Sequence, residues 1–169
     1  MLTGGGRSGK SRHALELISS YERKAFIATA EPLDGEMEER IRRHQLERGS
    51  DFITVEEPVD LAGAIRRLPK DIDAAIIDCL TVWIGNLMYH FGTDCDQYTQ
   101  VDEFLEALKN PPCDLIIVTN EVGMGIIPDN EMSRFFRDTA GSVNQRVAAA
   151  ADTVILAISG IPLTIKEGK

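Results

Sequence analysis

The sequence predicts an α/β fold with a mainly parallel sheet, and three observations carry that expectation. Short apolar stretches that read as strands alternate with longer stretches that read as helices along the 169 residues. The run Gly4-Gly5-Gly6-Arg7-Ser8-Gly9-Lys10-Ser11 fits the pattern G-x-x-x-x-G-K-[ST]. A later apolar stretch, Ala74 to Ile77, ends in the acid Asp78.

The elements follow in order. Met1-Leu2-Thr3 is a very short strand ahead of the glycine-rich loop. There the glycines let backbone N–H groups turn inward around a phosphate chain. Lys10 supplies a point charge for the outer phosphates, and Ser11 an oxygen for Mg²⁺. The helix beginning near Lys10 and running through Ile18 aims its positive end at the same anion. Lys24 to Thr29 reads as a buried strand. Thr29-Ala30-Glu31 then lies at its carboxyl end, where ligands of open α/β sheets gather. A plain strand-to-helix turn is the alternative for that segment.

Asp34 to Arg48 reads as a helix that Asp34 caps and Gly49 ends. Glu36–Arg40, Glu38–Arg42 and Glu39–Arg43 are i,i+4 pairs in the favourable order, a solvated face. Met37, Ile41, His44 and Arg48 share one stripe, which turns His44 toward protein. Taken alone, a histidine near a helix C-terminus is more often a dipole partner or core residue than a catalyst.

Phe52 to Glu56 alternates as a strand. Asp60 opens a helix that runs through Leu68 and closes before Pro69. The strand ending at Asp78 suits a magnesium partner, because Mg²⁺ is hard and prefers carboxylate oxygen. Leu80 to Phe91 is a helix whose Trp83, Leu87 and Met88 read as core. Tyr98 to Lys109 is an amphipathic helix stopped by Asn110-Pro111-Pro112. Leu115 to Thr119 is a strand leading into Asn120 to Pro128, either a functional loop or an ordinary connection. Asn130 to Ala151 reads as a long helix with a break near Gly141. Val154 to Ser159 and Ile161 to Ile165 are the last strands, split by Gly160.

Hydrophobic residues make up 43% and charged residues 27%, which fits one soluble domain over residues 1–169. The net charge of −9 argues against a nucleic-acid partner, though one locally positive cradle still suits a nucleotide. Cys79, Cys95 and Cys113 are widely spaced and odd in number, which predicts reduced thiols and a cytoplasmic chain. No apolar run is long enough to span a bilayer.

Several separated segments, taken in this order, resemble one family. They are Thr3 to Arg12, Ile27-Ala28-Thr29-Ala30, Glu36-Met37 with Arg40-Ile41 and His44, Thr54 with Glu56, and Asp78-Cys79-Leu80-Thr81 with Asn86-Leu87. Thr119 to Ile126, Phe136-Arg137-Asp138 with Gly141, Asn144-Gln145-Arg146, Ala149 to Asp152 and Ser159-Gly160-Ile161 continue the series. Together they resemble the bifunctional adenosylcobinamide kinase/adenosylcobinamide-phosphate guanylyltransferases of cobalamin biosynthesis. The phosphate loop is widely shared; the Asn-Glu-Val-Gly-Met-Gly run and the Arg-Ile-x-x-His helix are far more specific.

The resemblance implies a P-loop NTPase (RecA-like) three-layer fold. It implies phosphorylation of the aminopropanol hydroxyl of adenosylcobinamide by ATP or GTP with Mg²⁺. Transfer of GMP from GTP to adenosylcobinamide phosphate follows, through a guanylylated histidine in the place of His44. By the same matching the nucleotide meets Gly4, Gly5, Gly6, Arg7, Ser8, Gly9, Lys10, Ser11, Thr29, Ala30, Glu31, Gln45, Leu46, Glu47, Arg48, Glu56 and Asp78. Lys10 serves catalysis beside His44, Ser11 and Asp78 hold the metal, and the assembly is a homotrimer.

An imidazole nitrogen attacks the α-phosphorus only when neutral, whereas a helix C-terminus raises a histidine's pKa. The base for the kinase step stays open, with Glu121 as one candidate. The strand before the loop is shorter than the family's, and Phe52 stands where the family usually carries Trp. Two other classes compete: a small-molecule kinase without guanylyl transfer, and a non-enzymatic nucleotide switch. The switch is the weaker, since no Asn-Lys-x-Asp-type segment occurs.

Overall fold

The computed structural model describes residues 1–32, 35, 38–39, 42, 51–94 and 97–168. Seven strands form one sheet: β1 (Leu2–Gly4), β2 (Lys24–Ala28), β3 (Phe52–Glu56), β4 (Ala74–Asp78), β5 (Asp114–Val118), β6 (Val154–Ile158) and β7 (Ile161–Lys166). Their order is β3-β2-β4-β5-β1-β6-β7, parallel except for the antiparallel β6–β7 hairpin. β5 stands between β1, which feeds the phosphate loop, and β4, which ends in Asp78. That insertion is the RecA-like arrangement the sequence predicts.

Among the described residues the helices with fixed bounds are α1 (Lys10–Ile18), α2 (Leu61–Arg66), α3 (Leu80–Phe91), α4 (Thr99–Ala107) and α5 (Glu131–Ala150). Alternation along the strands divides the core between two faces. Leu2, Phe26, Ala74, Ile76 and Val118 pack with Ala14 and Ile18 of α1. Ala25, Ile27, Ala75, Ile77 and Ile117 face the other way, onto α2 to α5. There Trp83 and Phe104 meet edge-on with ring centroids 5.2 Å apart, both fully buried. The result is three layers.

The shortness of β1 does not leave it loose. Leu2 pairs with Val118 of β5 on one side and with Ile155 of β6 on the other. The Met1 ammonium donates to Thr153 O at 2.8 Å. A three-residue strand held from both sides is a firm anchor for the loop that follows.

Helix ends obey local chemistry. Asp60 caps α2 by accepting from Gly63 N at 2.7 Å, and Asn130 caps α5 by accepting from Ser133 N at 2.8 Å. Two expectations fail. α5 runs unbroken through Gly141, because Ala140, Val143, Asn144 and Val147 continue its buried stripe past the glycine. Arg42 pairs with Glu39 at 2.7 Å, an i,i+3 contact, rather than with Glu38 one residue further away. The rest of the predicted helix from Asp34 to Arg48, apart from Gly35, Glu38, Glu39 and Arg42, lies outside the described residues.

Candidate active site

The phosphate loop owes its path to two glycines. Gly4 has φ +144°, and a Cβ there would come within 2.3 Å of Ala157 O. Gly9 has φ +95°, and a Cβ there would lie 3.2 Å from Gly160 Cα. By contrast, a Cβ on Gly5 or Gly6 would meet nothing within 4 Å, so this part of the loop opens onto free space. Gly9 caps α1 without any side-chain hydrogen bond, and the first turn holds no acid. The leading N–H groups and the positive helix end therefore face an open loop.

Lys10 is buried beneath that loop. Its Nζ donates to Gly4 O at 3.1 Å, Gly5 O at 2.6 Å and Ser8 Oγ at 3.4 Å. Burial holds the ammonium below the ordinary lysine range, against the opposing pull of Cys79 and Asp78. The hairpin after β6 supports the loop from behind. Gly160 N–H donates to Ser8 O at 3.0 Å, and Arg12 Nη2 donates to Gly160 O at 3.4 Å.

Ser11 Oγ donates to Asp78 Oδ2 at 3.1 Å, joining the start of α1 to the end of β4. Asp78 is steadied from β2. The buried Thr29 hydroxyl accepts from Cys79 N at 2.8 Å and faces the carbonyls of Asp78 and Cys79 at 3.1 and 3.0 Å. Asn86 in turn donates to Thr29 O at 2.7 Å and to Pro58 O at 3.0 Å. Thr29 thus spends its side chain on positioning Asp78. Among the described residues no group of three or more His, Cys, Asp or Glu side chains is placed to hold a metal. The Ser11–Asp78 pair offers two hard oxygens, which suits an ion that keeps its waters and takes phosphate oxygens.

A second polar cluster lies at the carboxyl end of β5. Glu121 N–H donates to Gly4 O at 3.0 Å, the carbonyl that Lys10 also reaches. Glu121 Oε1 accepts from Thr3 Oγ1 at 2.8 Å and from Asn144 Nδ2 at 3.3 Å. Asn144 Oδ1 accepts from Thr119 Oγ1 at 2.8 Å, and Thr81 Oγ1 accepts from Asn120 N at 2.8 Å. Thr3, Thr81, Thr119 and Asn144 are all buried.

The other predicted residues spread along the same edge. Glu56, Ala28, Asp78 and Val118 form one register row from β3 to β5. Glu56 is four strand spacings from β1, about 19 Å at roughly 4.8 Å each. Glu31, next to Ala30, pairs with His90 of α3 at 3.1 Å. His44, Gln45, Leu46, Glu47 and Arg48 lie outside the described residues. Sequence reasoning did not single out Thr3, Asn86 or His90 for a site. Thr3 and Asn86 fall within the segments that carry the family resemblance, but nothing in the residues marks either for a site; His90 carries no signal beyond its place near the end of an apolar helix.

A model of the family described as cobinamide kinase / cobinamide phosphate guanyltransferase matches residues 1–165. Bifunctional adenosylcobalamin biosynthesis protein CobU of Salmonella typhimurium is 40% identical over 178 residues, covering 98% of this chain and 98% of that protein. Its namesake in Escherichia coli K12 is 38% identical with the same coverage. Bifunctional adenosylcobalamin biosynthesis protein CobP of Pseudomonas aeruginosa is 37% identical over 171 residues, covering 98% of this chain and 96% of that protein.

Proposed function

This chain belongs to the cobinamide kinase / cobinamide phosphate guanyltransferase family, and we propose that it carries both reactions on one phosphate loop. In the first, ATP or GTP phosphorylates the aminopropanol hydroxyl of adenosylcobinamide. In the second, GTP gives its GMP to adenosylcobinamide phosphate, yielding adenosylcobinamide-GDP and pyrophosphate. The observation that carries this reading is the buried Lys10 beneath an open loop, next to the Ser11–Asp78 pair. Lys10 exchanges its loop carbonyls for phosphate oxygens as nucleotide enters, and the N–H groups of residues 5–11 hold the remaining charge.

Ser11 and Asp78 would hold Mg²⁺. When bound, the ion neutralises charge on the phosphates. Thr29 and Asn86 keep Asp78 in place for that role. Thr29 to Glu31, Gln45 to Arg48 and Glu56 take the remainder of the nucleotide. His44 attacks the α-phosphorus in the guanylyl half, forming a covalent intermediate that splits one transfer into two. The reading describes one transferase domain, cytoplasmic and homotrimeric. The exposed Ile161, Leu163 and Ile165 of β7 support an assembly, and no helix among the described residues is long and apolar enough to cross a membrane.

Incubation with α-³²P-labelled GTP and Mg²⁺ tests the covalent step. The expected product is an acid-labile, base-stable protein label that His44→Ala loses. An unlabelled wild type, or a label undiminished in His44→Ala, rules out the histidine intermediate.

A further inference from the structure

We propose that Glu121 is the base of the kinase half-reaction, its Oε2 accepting the proton of the substrate hydroxyl; this rests on the kinase reading above. The two carboxylate oxygens stand in different surroundings. Oε1 accepts from Thr3 Oγ1 and Asn144 Nδ2, whereas Oε2 accepts no hydrogen bond from the described residues.

The donors have a fixed direction. Thr119 gives its hydroxyl proton to Asn144 Oδ1, so in the 3.3 Å Thr81–Thr119 contact the Thr81 hydroxyl is the donor. A chain therefore runs from Asn120 N–H through Thr81, Thr119 and Asn144 to Glu121, and every step donates toward the carboxylate. Such a chain polarises toward an ionised acceptor. With Oε1 occupied by two donors, an incoming proton settles on Oε2.

The placement is fixed by the phosphate loop itself. Glu121 N–H and Lys10 Nζ share the carbonyl of Gly4. Three charged groups on neighbouring elements are already engaged. Lys10 of α1 bonds to loop carbonyls, Asp78 of β4 to Ser11, and Arg137 of α5 to Asp138. Past Glu121 the loop is exposed, with Met124 80% and Ile126 96% accessible, so a bulky alcohol has an approach from that side. In the reaction the substrate O–H bond breaks and the oxygen forms a new bond to the γ-phosphorus. The bond from γ-phosphorus to the bridging oxygen breaks, the nucleoside diphosphate leaves, and Glu121 later passes its proton to water.

The test measures adenosylcobinamide phosphorylation by the full chain with ATP and Mg²⁺, as a function of pH. Glu121→Gln is expected to lower kcat by about 10²–10⁴-fold. It should change the KM for ATP by less than about 3-fold, and it should erase the acid limb of the kcat profile. Glu121→Asp, which keeps a carboxylate, should restore at least about tenfold over Gln, with an acid limb. Thr3→Val keeps the carboxylate but removes one donor to its charged form. It should displace the acid limb to higher pH, and it decides the matter should the Gln variant fold poorly. A Gln variant within about 3-fold of wild type, or an acid limb unmoved in Thr3→Val, overturns the assignment. If wild type turns over, such a result leaves the kinase reading standing. A wild type without phosphorylation overturns both.

Discussion

At the carboxyl ends of the strands, Thr3, Thr29, Thr119, Lys10 and Asn144 are buried and polar. At the amino ends, Met1, Leu2, Leu108, Leu115 and Ile155 line a cavity of about 390 Å³ whose walls are mostly aliphatic. The same strands build both ends, yet the rules differ. A buried hydroxyl or amide without a partner costs several kcal/mol in an apolar setting. Each polar group at the carboxyl end is therefore bonded in a set direction, which fixes Asp78 and Glu121 within narrow limits. Aliphatic side chains carry no such directional demand, and the amino end leaves a groove half open to solvent. The difference teaches where directional bonding concentrates: on the edge that carries the glycine-rich loop, Lys10 and Asp78.

Breaking the contrast at its sharpest point means removing the buried ammonium. Lys10→Met should lower both the kinase and the guanylyl transfer rates by about 10²–10³-fold or more, measured in parallel turnover assays. Unfolding of the ligand-free protein in urea should stay within about 1 kcal/mol of wild type, because burial already disfavours the charged amine. Kinase turnover that survives Lys10→Met would show that the two reactions do not share one cradle.

A smaller effect separates polar directionality from packing. Asn144→Ala strands the Thr119 hydroxyl and the Asn120 carbonyl, and should cost about 1–3 kcal/mol in urea unfolding. A cost near zero would mean that water replaces the amide, and that the network is looser than its geometry.

The last test belongs to the amino end. Burial, then the charges of Asp114 and Asp73, push the Cys113 thiol up to about 11 from 9.0. Iodoacetamide at mildly alkaline pH should modify Cys113 about 100-fold more slowly than a thiol of unshifted pKa, read by mass spectrometry of the intact chain. The sign for stability follows from the raised value. The contribution is complete below 9.0 and is lost as pH climbs toward about 11. Rapid labelling would show that this end opens more readily than its burial implies.

Much of the framework was legible in the residues. Phe52–Glu56 and Leu80–Phe91 form with the bounds their periodicity predicts. The positions of the loop, Lys10, Ser11 and Asp78 at the carboxyl edge were legible too, because each sits where an apolar stretch ends. The threonine network was not. Thr3 and Glu121 are 118 positions apart, and a threonine ending a strand looks like any β-former until its partner is known. The helix does not break near Gly141, because a glycine signals a bend only where the flanking stripe fails, and here it continues.

The contact between the phosphate loop and the turn at Gly160 carries its own consequence. Ser8 and Gly160 lie about as far apart in sequence as this chain allows, yet one bond joins them and their backbones nearly touch. The terminal hairpin and the first loop are therefore expected to open toward solvent together, which matched amide protection in hydrogen exchange would show. Opening β7 away from β6 would release the wall behind Ser8, and the loop amides would exchange with the hairpin's free energy of opening rather than their own. Nucleotide bound tightly on the first loop would, by the same linkage, clamp the end of the chain.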